Sequence, residues 1–218
     1  MAAPGTWIGL IVVFILLMVA MAFVPVVGSL AESVLAPVFG GGIALGCHAL
    51  AKGRPLTIGH LFEGFQGGRF MPLFIVGLVY LGAMFVLWIA VVAVVLGVAG
   101  GAGLFAALSS DASQMGAALF SSIGLVALVV VPVALVAVAA LSMAYWFAPP
   151  LIVLNGEEPI AAMKKSFRAC WQNMGATLVY GLIWIGLAIV ASIPFGLGWL
   201  VLAPVMAGSW YASWRETF

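Results

Sequence analysis

The chain has 218 residues, of which 66% are apolar and 6% charged, with a formal net charge of +1. A water-soluble domain carries about a quarter charged residues, so this composition excludes an ordinary soluble globule. Nucleic-acid binding needs a basic stripe, and the seven Lys and Arg here are scattered, so no polyanion partner is expected. The apolar runs are long and do not alternate with period two. They predict an all-α polytopic membrane protein, because lipid admits only segments whose backbone groups are satisfied internally.

The first predicted span covers residues 7–27, from Trp7 to Val27. Its length matches what a hydrocarbon core of about 30 Å requires at about 1.5 Å per residue, and MAAPGTWIG lacks the basic start of a signal peptide. A second span, 33–50, follows Glu32 and stops at Lys52 and Arg54. The polar stretch KGRPLTIGHLFEGFQGGR holds an interfacial helix over 56–66. A third span, 71–97, closes in a Gly- and Ser-rich loop around Asp111. The 45 uncharged residues between Asp111 and Glu157 admit one helix over 117–147, bent at Pro132 and leaving through Pro149-Pro150, or a re-entrant pair.

A second interfacial helix is predicted over 159–172. It has Pro at its first turn, and Ile160, Met163, Phe167 and Trp171 recur at helical spacing against Lys164, Lys165, Arg168 and Gln172. Fifth and sixth spans, 174–194 and 198–214, are separated by Pro194, Gly196 and Gly198. The whole chain, 1–218, is read as a single transmembrane domain. Six spans place all seven basic residues on one side and Glu32 and Asp111 on the other, so the positive-inside rule predicts cytoplasmic N and C termini.

VLAPV occurs at Val34–Val38 and again at Val201–Val205, each in the second arm of a helical hairpin. PLTIGHLFEGF likewise parallels PIAAMKKSFRAC, and the span after each contains two glycines five residues apart, Gly77 and Gly82 or Gly181 and Gly186. The predicted architecture is three hairpin repeats with interfacial helices between them. Such repeats usually build a pseudo-symmetric bundle.

PGTWIGL, APVFGGGIALGCHAL with HLFEGF, KKSFRACWQN and VLAPVMAGSWYASWRETF together resemble an uncharacterised family of six-span inner-membrane proteins of proteobacteria, over essentially the whole chain. The resemblance implies a bacterial inner-membrane location and a six-helix fold, and no established activity. Members of that family usually begin with a basic, Trp-containing stretch before PGTW. Its absence here implies a shortened chain, a late start or a divergent member. A looser likeness joins the interfacial-helix hairpins to membrane domains of some bacterial glycerophosphodiester phosphodiesterases.

Small residues recur four apart as Ala36, Gly40 and Ala44 beside Pro37, and as Ala203 and Ala207 beside Pro204 and Gly208. They predict close helix packing, and Gly40-Gly41-Gly42 could instead unwind toward a ligand. Lys164, Lys165 and Arg168 are the expected contacts to anionic headgroups. Ser142, Tyr145, Thr177 and Tyr180 could line a polar-aromatic pocket, or Tyr and Trp could serve as interface anchors. Cys47, His48, His60 and Cys170 lack a zinc-like spacing, and His48 reads as a solvated helix end. No metal, cofactor or catalytic set is expected. The reading that follows is a non-enzymatic protein for interaction, assembly or envelope organisation, partnered by the bilayer and by another membrane protein. The competing reading is a channel or carrier for a small apolar or lipid-like molecule.

Overall fold

The structure is a computed structural model that describes residues 4–24, 26–108, 116–117, 120–122, 124 and 126–218. The loop around Asp111 and Pro25 of the first turn lie outside the described residues. Among the described residues every regular element is helical. In chain order they are α1 (Pro4–Ala22), α2 (Val27–Ala51), a 3₁₀ helix (Ile58–Phe65), α3 (Phe70–Leu108) and a π-helical turn (Val126–Val130). There follow α4 (Val131–Trp146), α5 (Ala148–Asn155), α6 (Pro159–Gln172), α7 (Met174–Ser192) and α8 (Trp199–Thr217).

Among the described residues, five stretches are long and apolar enough to cross a bilayer: Gly5–Ala22, Val27–Ala51, Phe70–Gly101, Phe120–Asn155 and Met174–Ser192. The last turns of α8 carry Ser213, Arg215, Glu216 and Thr217, which lower its hydropathy below theirs. The 39 residues of α3 extend about 58 Å at 1.5 Å per residue, more than a hydrocarbon core of about 30 Å. Such a helix tilts or reaches past the acyl chains.

The chain divides into two units, Met1–Leu81 with Met143–Phe218, and Gly82–Ser142. In the first, α2 is the hub. It carries the largest set of buried residues of any helix and packs on α1, the 3₁₀ helix, α5 and α8. Glycine makes this closeness possible. A Cβ on Gly42 would lie 2.5 Å from the His60 carbonyl oxygen, and one on Gly64 or Gly77 would collide with the carbonyl oxygen of Val38 or Val34. Backbone therefore rests on backbone where the 3₁₀ helix and the start of α3 cross α2. The Gly40–Gly42 run stays helical throughout; its glycines admit α5, with Gly40 against Pro149 and Gly41 against Val153.

In the second unit the π-helical turn ends two residues before Pro132. Proline has no N–H and its ring crowds the carbonyl four residues back, here Leu128. A widened turn at that point is how a spanning helix absorbs such a residue. No described residue of this unit is buried, and Phe85, Trp88, Leu96, Leu128 and Val136 are among its exposed side chains.

A polar joint, a cleft and an apolar groove

Pro149 and Pro150 were expected to lead the chain out of the fourth span. They instead form the first turn of α5, buried against α2. The interruption before them is satisfied by two other helices. In an unbroken helix the Phe147 N–H would donate to the Met143 carbonyl. Here the fully buried Ser166 of α6 lies between them, accepting from Phe147 N at 2.9 Å and donating to the Met143 oxygen at 2.6 Å. A side chain inserted into the ladder is a recognised cause of a kink. Pro150 cannot donate to the Trp146 carbonyl, and the Trp210 indole N–H of α8 does so at 3.0 Å. The regular pattern resumes with Leu151 N donating to Phe147 O, and α5 ends on Gly156 at φ 71°.

Two recesses flank this joint within the first unit. A cleft of about 480 Å³ is walled by α6, α7 and α8; Asn173, Thr177, Ser209, Ser213, Glu216 and Thr217 supply its polar groups. A groove of about 370 Å³ is lined by apolar side chains such as Ile43, Met206 and Ala207, with Gly40 in its wall. Trp146 and Tyr180 line both recesses. The Tyr180 hydroxyl pairs with Ser209 at 2.8 Å, and its ring meets Trp146 edge-on with centroids 6.1 Å apart. Cys170 lines the cleft, and burial pushes its thiol up to about 11, so it is neutral at physiological pH.

Of the small residues, Ala44 and Pro37 are buried in α2, while Ala36 is exposed. Ala203 and Ala207 line the groove with Gly40, Pro204 is buried, and Gly208 is exposed with open space where a Cβ would stand. The two VLAPV copies differ in surroundings: Val34 is 8% exposed against 64% for Val201, and Val38 0% against 41% for Val205. Gly77 and Gly181 differ likewise, the first pressed on Val34 and the second in open space.

Thr177, Tyr145 and Tyr180 all line a recess, Tyr145 on the groove side, and Ser142 belongs to the second unit. Lys164, Lys165 and Arg168 are exposed, and Lys165 pairs with Glu157. The buried face of α6 is rotated from the apolar stripe that its spacing suggests: Ala162, Met163, Ser166, Ala169 and Cys170 face the protein. Ile160 and Trp171 are exposed. At about 100° per residue the helix thus has a packed face, an aromatic edge and a basic face.

His48 is not a solvated helix end. It is half-buried, with Nδ1 2.8 Å from the Tyr211 hydroxyl of α8. His60 instead turns back on Thr57, 2.7 Å from its hydroxyl, and the pair caps the 3₁₀ helix. Cys47 is buried in the core. Among the described residues no three of His, Cys, Asp and Glu gather closely enough to hold a metal ion. Ser166, Asn173 and Glu216 were not singled out by sequence, and Trp210 read only as an interface anchor. The available signal was one hydroxyl on an otherwise small, apolar face of α6, and a Pro-Pro pair that must orphan nearby carbonyls.

No family model matches the chain, and no solved structure does. It is similar to a protein of Burkholderia thailandensis named as a probable inner membrane protein, 29% identical over 201 residues, which cover 92% of this chain and 72% of that one.

Proposed function

We propose that the chain is a six-span bacterial inner-membrane protein that binds a lipid-like molecule and carries out no covalent chemistry on it. The observation that carries this reading is the pairing of a polar cleft with an apolar groove that share Trp146 and Tyr180. An amphiphile presents the same division, and both volumes fall in the range of about 300–1,000 Å³ typical of ligand sites.

The inner-membrane placement is supported by the name of the Burkholderia relative and by the five apolar stretches. Taking α8 as a sixth crossing is supported by how the outer hairpins close. Val26 and Phe195 both have positive φ, 67° and 51°, and each follows a proline. Gly28 and Gly198 then press on the end of the preceding helix, at Met21 and Ala191. With six crossings all basic residues share a side, and both termini are cytoplasmic by charge asymmetry. A reporter fused after Phe218 should read as cytoplasmic; a periplasmic signal would remove the sixth span.

The binding reading is tested by purifying the full chain in mild detergent and weighing it intact by native mass spectrometry. One retained lipid per chain is the expected result. Replacing Lys164, Lys165 and Arg168 together with Gln should weaken association with anionic vesicles at low salt; unchanged association would leave those charges a topological role only. A second reading, an assembly component, is favoured by the second unit, none of whose described residues is buried. Recovery with a stoichiometric protein partner and no lipid would select it.

A further inference from the structure

The two recesses differ in chemistry in a way that selects a headgroup. Among the side chains lining both, Glu216 is the single charged one. It is exposed, while Cys170 in the same cleft is neutral and the other polar groups are amide and hydroxyl. A hydroxyl or amide can serve an ester or phosphate oxygen, but only the carboxylate discriminates by charge, and it favours a cation. Beyond Trp146 and Tyr180 the wall turns apolar, with Gly40, Ala203 and Ala207 leaving room along α2 and α8. Small residues on these two contacting helices leave a groove of about 370 Å³ for an apolar chain.

We propose that the cleft and groove hold one molecule of an amine-headgroup membrane phospholipid, phosphatidylethanolamine in kind. Its ammonium lies at Glu216, its phosphate and ester oxygens among Asn173, Thr177 and Ser213, and one acyl chain in the groove beside Ala207. This rests on the lipid-binding reading above and adds the identity of the headgroup. An anionic phospholipid such as phosphatidylglycerol brings the same phosphate charge into the cleft but has no cation to offer Glu216. The basic side chains of α6 and Arg215 do not line the cleft, so they attract anionic lipid to the surface without reversing the choice inside it.

The experiment takes the full chain into nanodiscs of equimolar phosphatidylethanolamine and phosphatidylglycerol, then strips it into detergent and weighs it by native mass spectrometry. The chain is compared with Glu216→Gln and with Ala207→Phe, which plugs the groove. The expected result is one retained lipid, enriched in phosphatidylethanolamine by about threefold, the ratio given by an exposed ion pair of ordinary strength. The enrichment should vanish in Glu216→Gln while one lipid is still retained, and Ala207→Phe should lose the lipid. Equal retention of the two headgroups, unchanged by Glu216→Gln, overturns the headgroup assignment and leaves the lipid site standing. No retained lipid in the parent chain overturns both. Glu216 is exposed, so its substitution tests the assignment without burdening the fold, and lipid-free melting of Ala207→Phe separates plugging from unfolding.

Discussion

The first unit and the second are both apolar, yet they are held in different ways. In the first, α2 meets its neighbours backbone to backbone at Gly42, Gly64 and Gly77, and the α4–α5 break is stitched by Ser166 and Trp210. The second has no buried residue among those described, and its glycines from Gly82 to Gly103 have open space where a Cβ would stand. Hydrophobicity alone puts a helix into lipid, since acyl chains are as apolar as leucine. Position within the protein comes from close approach and from polar groups with nowhere else to bond.

The contrast can be broken most severely at the glycines. Gly42→Leu or Gly64→Val should cost about 3 kcal/mol or more, beyond the usual 1–3 for overpacking, because the obstacle is backbone and cannot swing aside. Gly82→Ala and Gly100→Ala in the second unit should stabilise their helix by roughly 0.5–1 kcal/mol. Unfolding titrations in mixed micelles would measure both, and equal effects in the two units would end the distinction. Next is Ser166→Ala, which strands the Phe147 N–H and the Met143 carbonyl and should cost about 1–3 kcal/mol; the same titration checks it, with Ser192→Ala as an exposed control.

Tyr211→Phe, removing the partner of His48, should cost only about 0.6 kcal/mol, the average of measured side-chain hydrogen bonds between membrane helices. Trp214→Phe should be neutral or slightly stabilising, because among the described residues its buried indole N–H has no acceptor and an unmet donor carries a desolvation penalty. A large loss on Trp214→Phe would show that the N–H is bonded after all. Cys170 supplies a chemical check. With its thiol pushed up to about 11, thiolate-selective alkylation of a Cys47→Ala variant should be slow at pH 8 in the fold and fast in denaturant, where the ordinary thiol value returns.

The helical class and the membrane setting were legible because they depend on composition and run length, which are properties of the chain alone. The start of α6 was legible at Pro159, a residue suited to a first turn. The rotation of its buried face was not, because Ile160, Phe167 and Trp171 are the most apolar residues there and a bilayer accepts them as readily as a core does. Periodicity cannot tell lipid from protein. For the same reason the VLAPV copies read alike although Val38 is enclosed and Val205 is not, and Gly77 looks no different from Gly82. Thr177 and Tyr180 could be named as pocket residues by their polarity. Glu216 was hidden as one more charge at a helix end, and Ser166 because the groups it joins lie 19 and 23 residues away.

Those separations matter while the chain is being made. Once Pro150 follows Trp146 into the bilayer, the Trp146 carbonyl has lost its helical donor, and the indole that replaces it lies 64 residues downstream. At about 5–20 residues per second, Trp210 is synthesised roughly 3–13 s later. Ser166 emerges first and can steady the joint, but the last helix completes it. Until α8 has docked, the Trp146 carbonyl lacks the donor that replaces its helical one, so the step that packs α8 against the joint is also the step that completes it.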